Sequence, residues 1–396
     1  MKIKIGIRHN LIYPILYSIF TYIRNVDTIL MDEINDFKGS LLLTLIMFFA
    51  EFISGLILYT TQRIFNFNSK ESTSEEIKSK NSSLKQEISS NSNSIGMNML
   101  LLTISFCDFI VFIITTDYLP NYKIKTNSLE TRLGNMTTIF SSFFYHFLLN
   151  FNLGKHQKLS LLIIFLCLLT IIILEVFYES VLENSNSTNL YYALFLIIIN
   201  YLFRSFMDIS EKYLLEYHKI NAYKMLMMEG IFGFIITSLY AIYESPFNEI
   251  KKNYNNKKNK FIILFILLLL YFLLSGAKNI YRILTNKRYS PMTKIIADTF
   301  MDPLLIIYYF SFKNDLHNFY FFIFNVILLI IINFFGLVFN DFLILYCCNL
   351  EHETYLEISK RAYDIEKIKP LQDFDIRVTI DDEYEVSYER NKTQDF

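Results

Sequence analysis

Residues 41–60 read LLLTLIMFFAEFISGLILYT, an apolar run with one charge, Glu51, near its middle. A helix needs about 20 mostly apolar residues to cross the hydrocarbon core of a bilayer. The run therefore reads as a transmembrane helix, and Glu51 as a charge that the helix must keep away from lipid. The same pattern recurs along the chain. Further clear spans lie at 97–118, 157–177, 190–210, 261–277 and 318–347, with weaker ones at 10–23, 133–150, 225–243 and 295–312. The sequence predicts an all-α membrane protein with ten transmembrane helices.

Composition agrees. Of 396 residues, 53% are hydrophobic and 19% charged, where a soluble domain has about 25% charged; mean hydropathy is +0.32. Wholesale disorder and collagen-like repeats are excluded, and four cysteines are too few for a disulfide scaffold. The balance of 37 basic to 38 acidic residues argues against a nucleic-acid partner. No phosphate-binding glycine loop, dinucleotide fingerprint, H-E-x-x-H or C-x-x-C motif is present. The expectation is a protein that is not an enzyme and has no cofactor or metal.

With both termini cytoplasmic, the inside segments hold more than twice as many Lys and Arg as the outside ones, as the positive-inside rule asks. The basic loop 251–260 dissents. Lys2, Lys4 and Arg8 precede an apolar run, but no small-residue cleavage site follows, so the first span is read as retained. Segment 63–96 is rich in Ser, Asn, Glu and Lys and reads as a disordered cytoplasmic loop. The chain thus divides into a first five-helix unit (1–177), a second (189–347) and a soluble tail (348–396). Cys347 and Cys348, at the inner end of the last span, are either lipidation sites or small apolar residues at a helix end.

Two stretches echo each other. Glu51-Phe-Ile-Ser-Gly55 in the second span matches Glu229-Gly-Ile-Phe-Gly233 in the seventh. Ser128-Leu-Glu-Thr-Arg132 at the fourth matches Ser290-Pro-Met-Thr-Lys294 at the ninth. An odd-numbered shift of five spans would turn the second copy upside down, giving two inverted five-helix repeats of the kind secondary transporters use.

Charges inside spans are expensive, and their spacing carries information. Lys294, Asp298 and Asp302 stand at i, i+4 and i+8, on one face of the ninth span. Arg204 and Asp208, also at i and i+4, are positioned for a structural ion pair. Lys278 and Arg282 put two like charges on one face, which repel unless a carboxylate is near; the alternative is that these two and Lys294 snorkel to the cytoplasmic interface. Glu51, Asp108, Glu229 and Asp298 are read either as solute or proton sites or as helix-packing groups. Asp302-Pro303 should kink the ninth span and free backbone carbonyls beside Asp302.

Several of these residues resemble a known family. Glu229-Gly-Ile-Phe-Gly-Phe, preceded by Glu211-Lys-Tyr-Leu-Leu and Tyr217-His-Lys-Ile-Asn-Ala, is similar to the sixth-to-seventh-span signature of the drug/metabolite transporter (EamA-like) superfamily, in its nucleotide-sugar-transporter-like, F-type solute carriers. Met47-Phe-Phe-Ala-Glu51, Phe106-Cys-Asp108 and Thr293-Lys294 with Asp298-Thr299 resemble its second, third and ninth spans. The resemblance implies ten helices in two inverted repeats around a central cavity. It places Glu51, Asp108, Glu229, Lys294 and Asp298 at a transport site, where Arg132, a loose substitute for the family's Arg, and Asp302, an acid the family pattern lacks, are further candidates. Arg132-Leu-Gly134 replaces the family's Leu-Arg-Gly, and Met301 stands where a second Arg is expected. A neutral or cationic small solute is therefore expected rather than a nucleotide sugar.

The leading expectation is a secondary transporter of a small organic solute working by alternating access, with acidic groups that bind the solute or a coupling proton. Its partners are the solute and the lipid bilayer, with a homodimer left open, and its location an endomembrane such as Golgi, vacuole or a lysosome-like organelle. Two alternatives stand beside it: a vacuolar or digestive-organelle carrier extruding weak bases, and a non-transporting membrane adaptor acting through loop 63–96 and the tail.

Overall fold

The computed structural model describes residues 2–5, 11–35, 37, 40–71, 80–119, 126–149, 153–178, 187–243, 258–308, 310–311, 319–346 and 354. The long elements are all helical: α1 (Ile12–Asn35), α2 (Ser40–Glu71), α3 (Lys80–Ile113) with a π-helical turn at Ile114–Tyr118, α4 (Thr126–Leu133), α5 (Met136–Leu149), α6 (Lys155–Phe177), α7 (Ser187–Glu216), α8 (Ala222–Tyr243), α9 (Lys258–Arg288), α10 (Pro291–Thr299), α11 (Asp302–Tyr308) and α12 (Phe319–Phe339). Among the described residues, seven helices are long and apolar enough to cross a membrane. They lie in α2, α3, α6, α7, α8, α9 and α12, and include the weaker candidate at 225–243.

The three other expected spans differ from the sequence reading. The first, expected at 10–23, continues through Arg24 and Asp27 to Asn35. Both charges lie within the helix: Arg24 stands over the Tyr271 ring at 5.9 Å, and Asp27 is buried with neither carboxylate oxygen hydrogen-bonded among the described residues. The fourth is two helices, α4 and α5, parted at Gly134–Asn135, and the ninth is α10 and α11, parted at Phe300–Met301. Lys294, Asp298 and Asp302 consequently do not share one unbroken face. The break precedes Asp302 rather than following it, because Pro303 is accommodated in the first turn of a new helix, where its missing N–H costs nothing. The carbonyl of Phe300 that the break frees accepts a hydrogen bond from Asn333 Nδ2 of α12 (3.1 Å).

Segment 63–96, expected to be disordered, is helical from both sides: α2 continues to Glu71 and α3 begins at Lys80. No Pro or Gly interrupts residues 63–95, and extending an existing helix is far easier than nucleating one. Cys347, Cys348, loop 251–257 and the tail beyond 354 lie outside the described residues.

α2 packs along α8, α1 along α9, α6 along α12, and α5 along α7; α3 lies against both α7 and α8, and α9 against α2. The α2–α8 crossing is close because it is lined by glycine. A Cβ on Gly230 would collide with the backbone of Phe52, one on Gly55 with the backbone of Met227, and one on Gly233 with the Phe48 ring. Small residues let helix backbones approach where lipid offers no hydrophobic drive. These are the glycines of the two E-x-x-x-G stretches. The second echo divides differently: Ser290 caps α10, accepting from Thr293 N–H at 3.2 Å with Pro291 at the first helical position, whereas Ser128 lies within α4.

One element was not foreseen. Strand β1 (Lys2–Ile5), ahead of α1, pairs antiparallel with β2 (Leu343–Tyr346), beyond α12, with Ile3 opposite Leu345. It joins the start of the first helix to the end of the last.

Gly230→Val is expected to lower stability by about 1–3 kcal/mol or more, since backbone cannot move aside as a side chain can. Gly276→Ala should be nearly neutral, because its added Cβ meets the nearest atom at 3.6 Å. Thermal unfolding of the detergent-purified variants checks the contrast.

Candidate functional site

Charged groups of five helices gather where α9 turns into α10. Lys212 of α7 donates to the carbonyl of Tyr289 at 2.7 Å, fixing the end of α7 beside that turn. One helical turn further from it lies a dry network. Arg282 Nη2 donates to Glu51 Oε1 of α2 at 2.7 Å and to Glu229 Oε2 of α8 at 3.0 Å, while Nη1 pairs with Glu211 of α7. Asn286 Nδ2 donates to Glu211 Oε2 at 3.0 Å and to the Asp208 carbonyl at 3.1 Å. Lys294 of α10 pairs with Asp208. None of the six ionisable groups is more than 8% exposed. Four carboxylates thus face two cations, and Glu229 Oε1 has no hydrogen-bond partner.

The next turn away is different. Arg204, Lys278 and Asp298 stand four residues from Asp208, Arg282 and Lys294 on the same three helices. A step of four residues is about 6 Å along a helix. These side chains keep accessible surface, 28% for Asp298 and 35% for Arg204, yet they face one another. Asp298 lies within electrostatic reach of Lys278, Lys294 and Arg204. Its Oδ1 accepts from Tyr17 OH of α1 at 2.9 Å and is 3.9 Å from Lys278 Nζ. Arg204 pairs with Glu130 of α4 at 3.1 Å, and Glu130 also accepts from Asn200 at 3.2 Å. Asp108 of α3, partly exposed, lies within reach of Arg204, Lys278 and Arg282.

The i, i+4 spacings therefore mark two tiers rather than pairs. Arg204 and Asp208 do not bond each other: Arg204 takes Glu130 and Asp208 takes Lys294. The reason is geometric, since partners on neighbouring helices project into the space between helices while i, i+4 neighbours lie along one wall. Arg282 and Lys294 do not snorkel, because each pairs with a carboxylate inside the bundle, and Lys278 also turns inward, to a looser 3.9 Å approach to Asp298. Sequence reasoning missed Glu211, Glu130 and Tyr17 as members. The available signals were the repulsion between Lys278 and Arg282, which demanded a nearby carboxylate, and the place of Glu211 in the signature stretch.

Not every candidate joins this cluster. Arg132 is 1% exposed and pairs with Glu175 of α6 at 2.7 Å, beneath the Phe321 ring at 5.4 Å. Asp302 is buried where the two broken spans meet. A Cβ on Gly134 would come 3.1 Å from Asp302 Oδ2, and Thr299 Oγ1 donates to Asn135 Oδ1 at 3.1 Å. Asp341, just beyond α12, lies 2.8 Å from His156 Nε2.

Replacing Arg282 by Gln would leave three carboxylates without their cation, a loss of about 3–5 kcal/mol for a buried ionic network. Lys278→Gln removes only a long, partly solvated contact worth at most about 1 kcal/mol. Thermal melts of the two variants should differ accordingly. A scan against protein-family models finds no match, and a search of curated proteins finds no significantly similar sequence.

Proposed function

We propose that the protein is a multi-pass membrane secondary transporter. It moves a small organic solute by alternating access through ten spans arranged as two inverted five-helix repeats. The observation that carries this reading is the two-tier charge cluster: an accessible set of ions inside a bundle of apolar helices, resting on a dry set with an excess of carboxylates. Ionic groups at membrane depth are costly, and bundles retain them where a solute or ion passes.

Three features support the architecture. The pairing of β1 with β2 brings the two ends of the helical region to one face, which requires an even number of crossings. Adding α1, α4 with α5, and α10 with α11 to the seven long apolar helices makes ten. The packing also repeats under a shift of five spans. The first span against the eighth corresponds to the sixth against the third, the second against the eighth to the seventh against the third, and the fourth against the sixth to the ninth against the first. Finally, the two interrupted spans are the fourth and the ninth, and they meet at their interruptions. Broken helices at the repeat interface are where transporters of this design bind their cargo. The resemblance of Glu211, Glu229, Asp108 and Asp298 to drug/metabolite-transporter positions points the same way.

In this reading Glu51, Glu211, Glu229 and Asp208 share Arg282 and Lys294, and the surplus negative charge of the dry tier is the place for a coupling proton. Loading that tier changes the charge one turn below the solute.

Epitope tags placed ahead of Lys2 and just after Tyr346 should be accessible from the same side of intact vesicles; opposite sides would rule out ten spans. Purified protein in proteoliposomes should exchange at least one of a panel of amino acids, amines, nucleosides and sugars in a saturable counterflow assay. Glu229→Gln should abolish concentrative uptake driven by a pH gradient while its gel-filtration profile is unchanged. Wild-type-like accumulation by that variant would remove the dry tier from the coupling step.

A further inference from the structure

In the accessible tier most charges are matched, and two are not. Glu130 is held by Arg204 and Asn200, and Asp298 by the Tyr17 hydroxyl. Asp108 makes no hydrogen bond or ion pair among the described residues. Lys278 Nζ stands 3.9 Å from Asp298 Oδ1, beyond hydrogen-bond range. It also lies 5.9 Å from the Tyr17 ring, whose hydroxyl already occupies that carboxylate. One partly exposed carboxylate on α3 and one ammonium on α9 are thus without a hydrogen-bonded partner among the described residues, and each lies within electrostatic reach of the other.

The charge of a fitting solute follows. A neutral sugar would displace water from both groups and offer only hydroxyl hydrogen bonds, leaving both charges uncompensated. A simple amine satisfies Asp108 but brings a like charge toward Lys278, Arg204 and Arg282. A simple carboxylate satisfies Lys278 but faces Asp108, Asp298 and Glu130. A molecule with both an ammonium and a carboxylate matches the two open groups and leaves the tier's net charge unchanged. We infer that the solute is a small zwitterion of the free amino acid class, its ammonium on Asp108 and its carboxylate on Lys278. This rests on the transporter reading above, and it names that carrier's substrate class.

The test compares three forms of the same side chains on the purified full-length protein. Each of the twenty free amino acids is scored by thermal shift beside its amide, which keeps only the ammonium, and its N-acetyl derivative, which keeps only the carboxylate. Ligand binding stabilises the fold by mass action. A subset of the free amino acids should bind at least about ten-fold more tightly than either capped form, some 1.4 kcal/mol. Asp108→Asn should lose the discrimination against the N-acetyl form and keep that against the amide. Lys278→Gln should do the reverse, a crossed pattern that general loosening of the site would not produce. Equal binding of capped and free forms, or no shift with any amino acid, overturns the proposal. Counterflow in proteoliposomes separates the two levels. Exchange of amines, nucleosides or sugars but of no amino acid refutes the zwitterion and leaves a transporter, whereas exchange of no solute refutes both.

Discussion

The bundle is organised around the guanidinium of Arg282. A planar, permanently charged group with five donors is suited to several carboxylates at once. Here it gathers Glu51 from α2, Glu211 from α7 and Glu229 from α8 onto α9. Four helices from both halves of the chain are held by one side chain, in a region where unmatched charge is heavily penalised. Their approach depends on Gly55, Gly230 and Gly233, which let α2 and α8 cross with backbone against side chain or backbone. The glutamates and glycines of the two E-x-x-x-G stretches are therefore parts of one device: the glycines bring the helices together and the glutamates bind the cation between them.

From that anchor the chemistry is layered. Toward the α9–α10 turn the cluster is dry and acidic; one turn away it is accessible and nearly balanced. Each of α7, α9 and α10 contributes to both layers, so a shift of any one of them moves both together. The α4–α5 and α10–α11 breaks meet, with Asp302 against Gly134. The β1–β2 pairing ties the outermost helices of the chain at one end. A buried ionic anchor, an accessible charged layer and two helix breaks thus lie side by side in one core.

Much of this was legible from the primary sequence. Hydropathy located all seven long apolar helices, and the intramembrane charges identified Glu51, Glu229, Lys294 and Asp298 as the residues that gather. What failed did so for identifiable reasons. Arg24 and Asp27 looked like a span terminus because hydropathy counts a charge as exposed unless told otherwise, and the ring of Tyr271 is not visible locally. Glu211 and Glu130 lie within a few residues of the ends of α7 and α4, outside the apolar runs that drew attention to intramembrane charge. Arg132 looked like a site residue by motif, but it pairs with Glu175, at the end of α6.

The sequence by itself determined that this chain is a bundle of membrane-length helices, because the cost of placing polar backbone and charge in hydrocarbon is local and additive along each helix. It also determined that certain charges must be enclosed. Which charges meet was decided only by the tertiary structure. The i, i+4 spacing of Arg204 with Asp208, of Lys278 with Arg282 and of Lys294 with Asp298 is equally compatible with pairs along a helix and with rungs between helices. Only the crossing of α2, α7, α8, α9 and α10 places partners across the gap, and so turns three similar spacings into a dry tier and an accessible one.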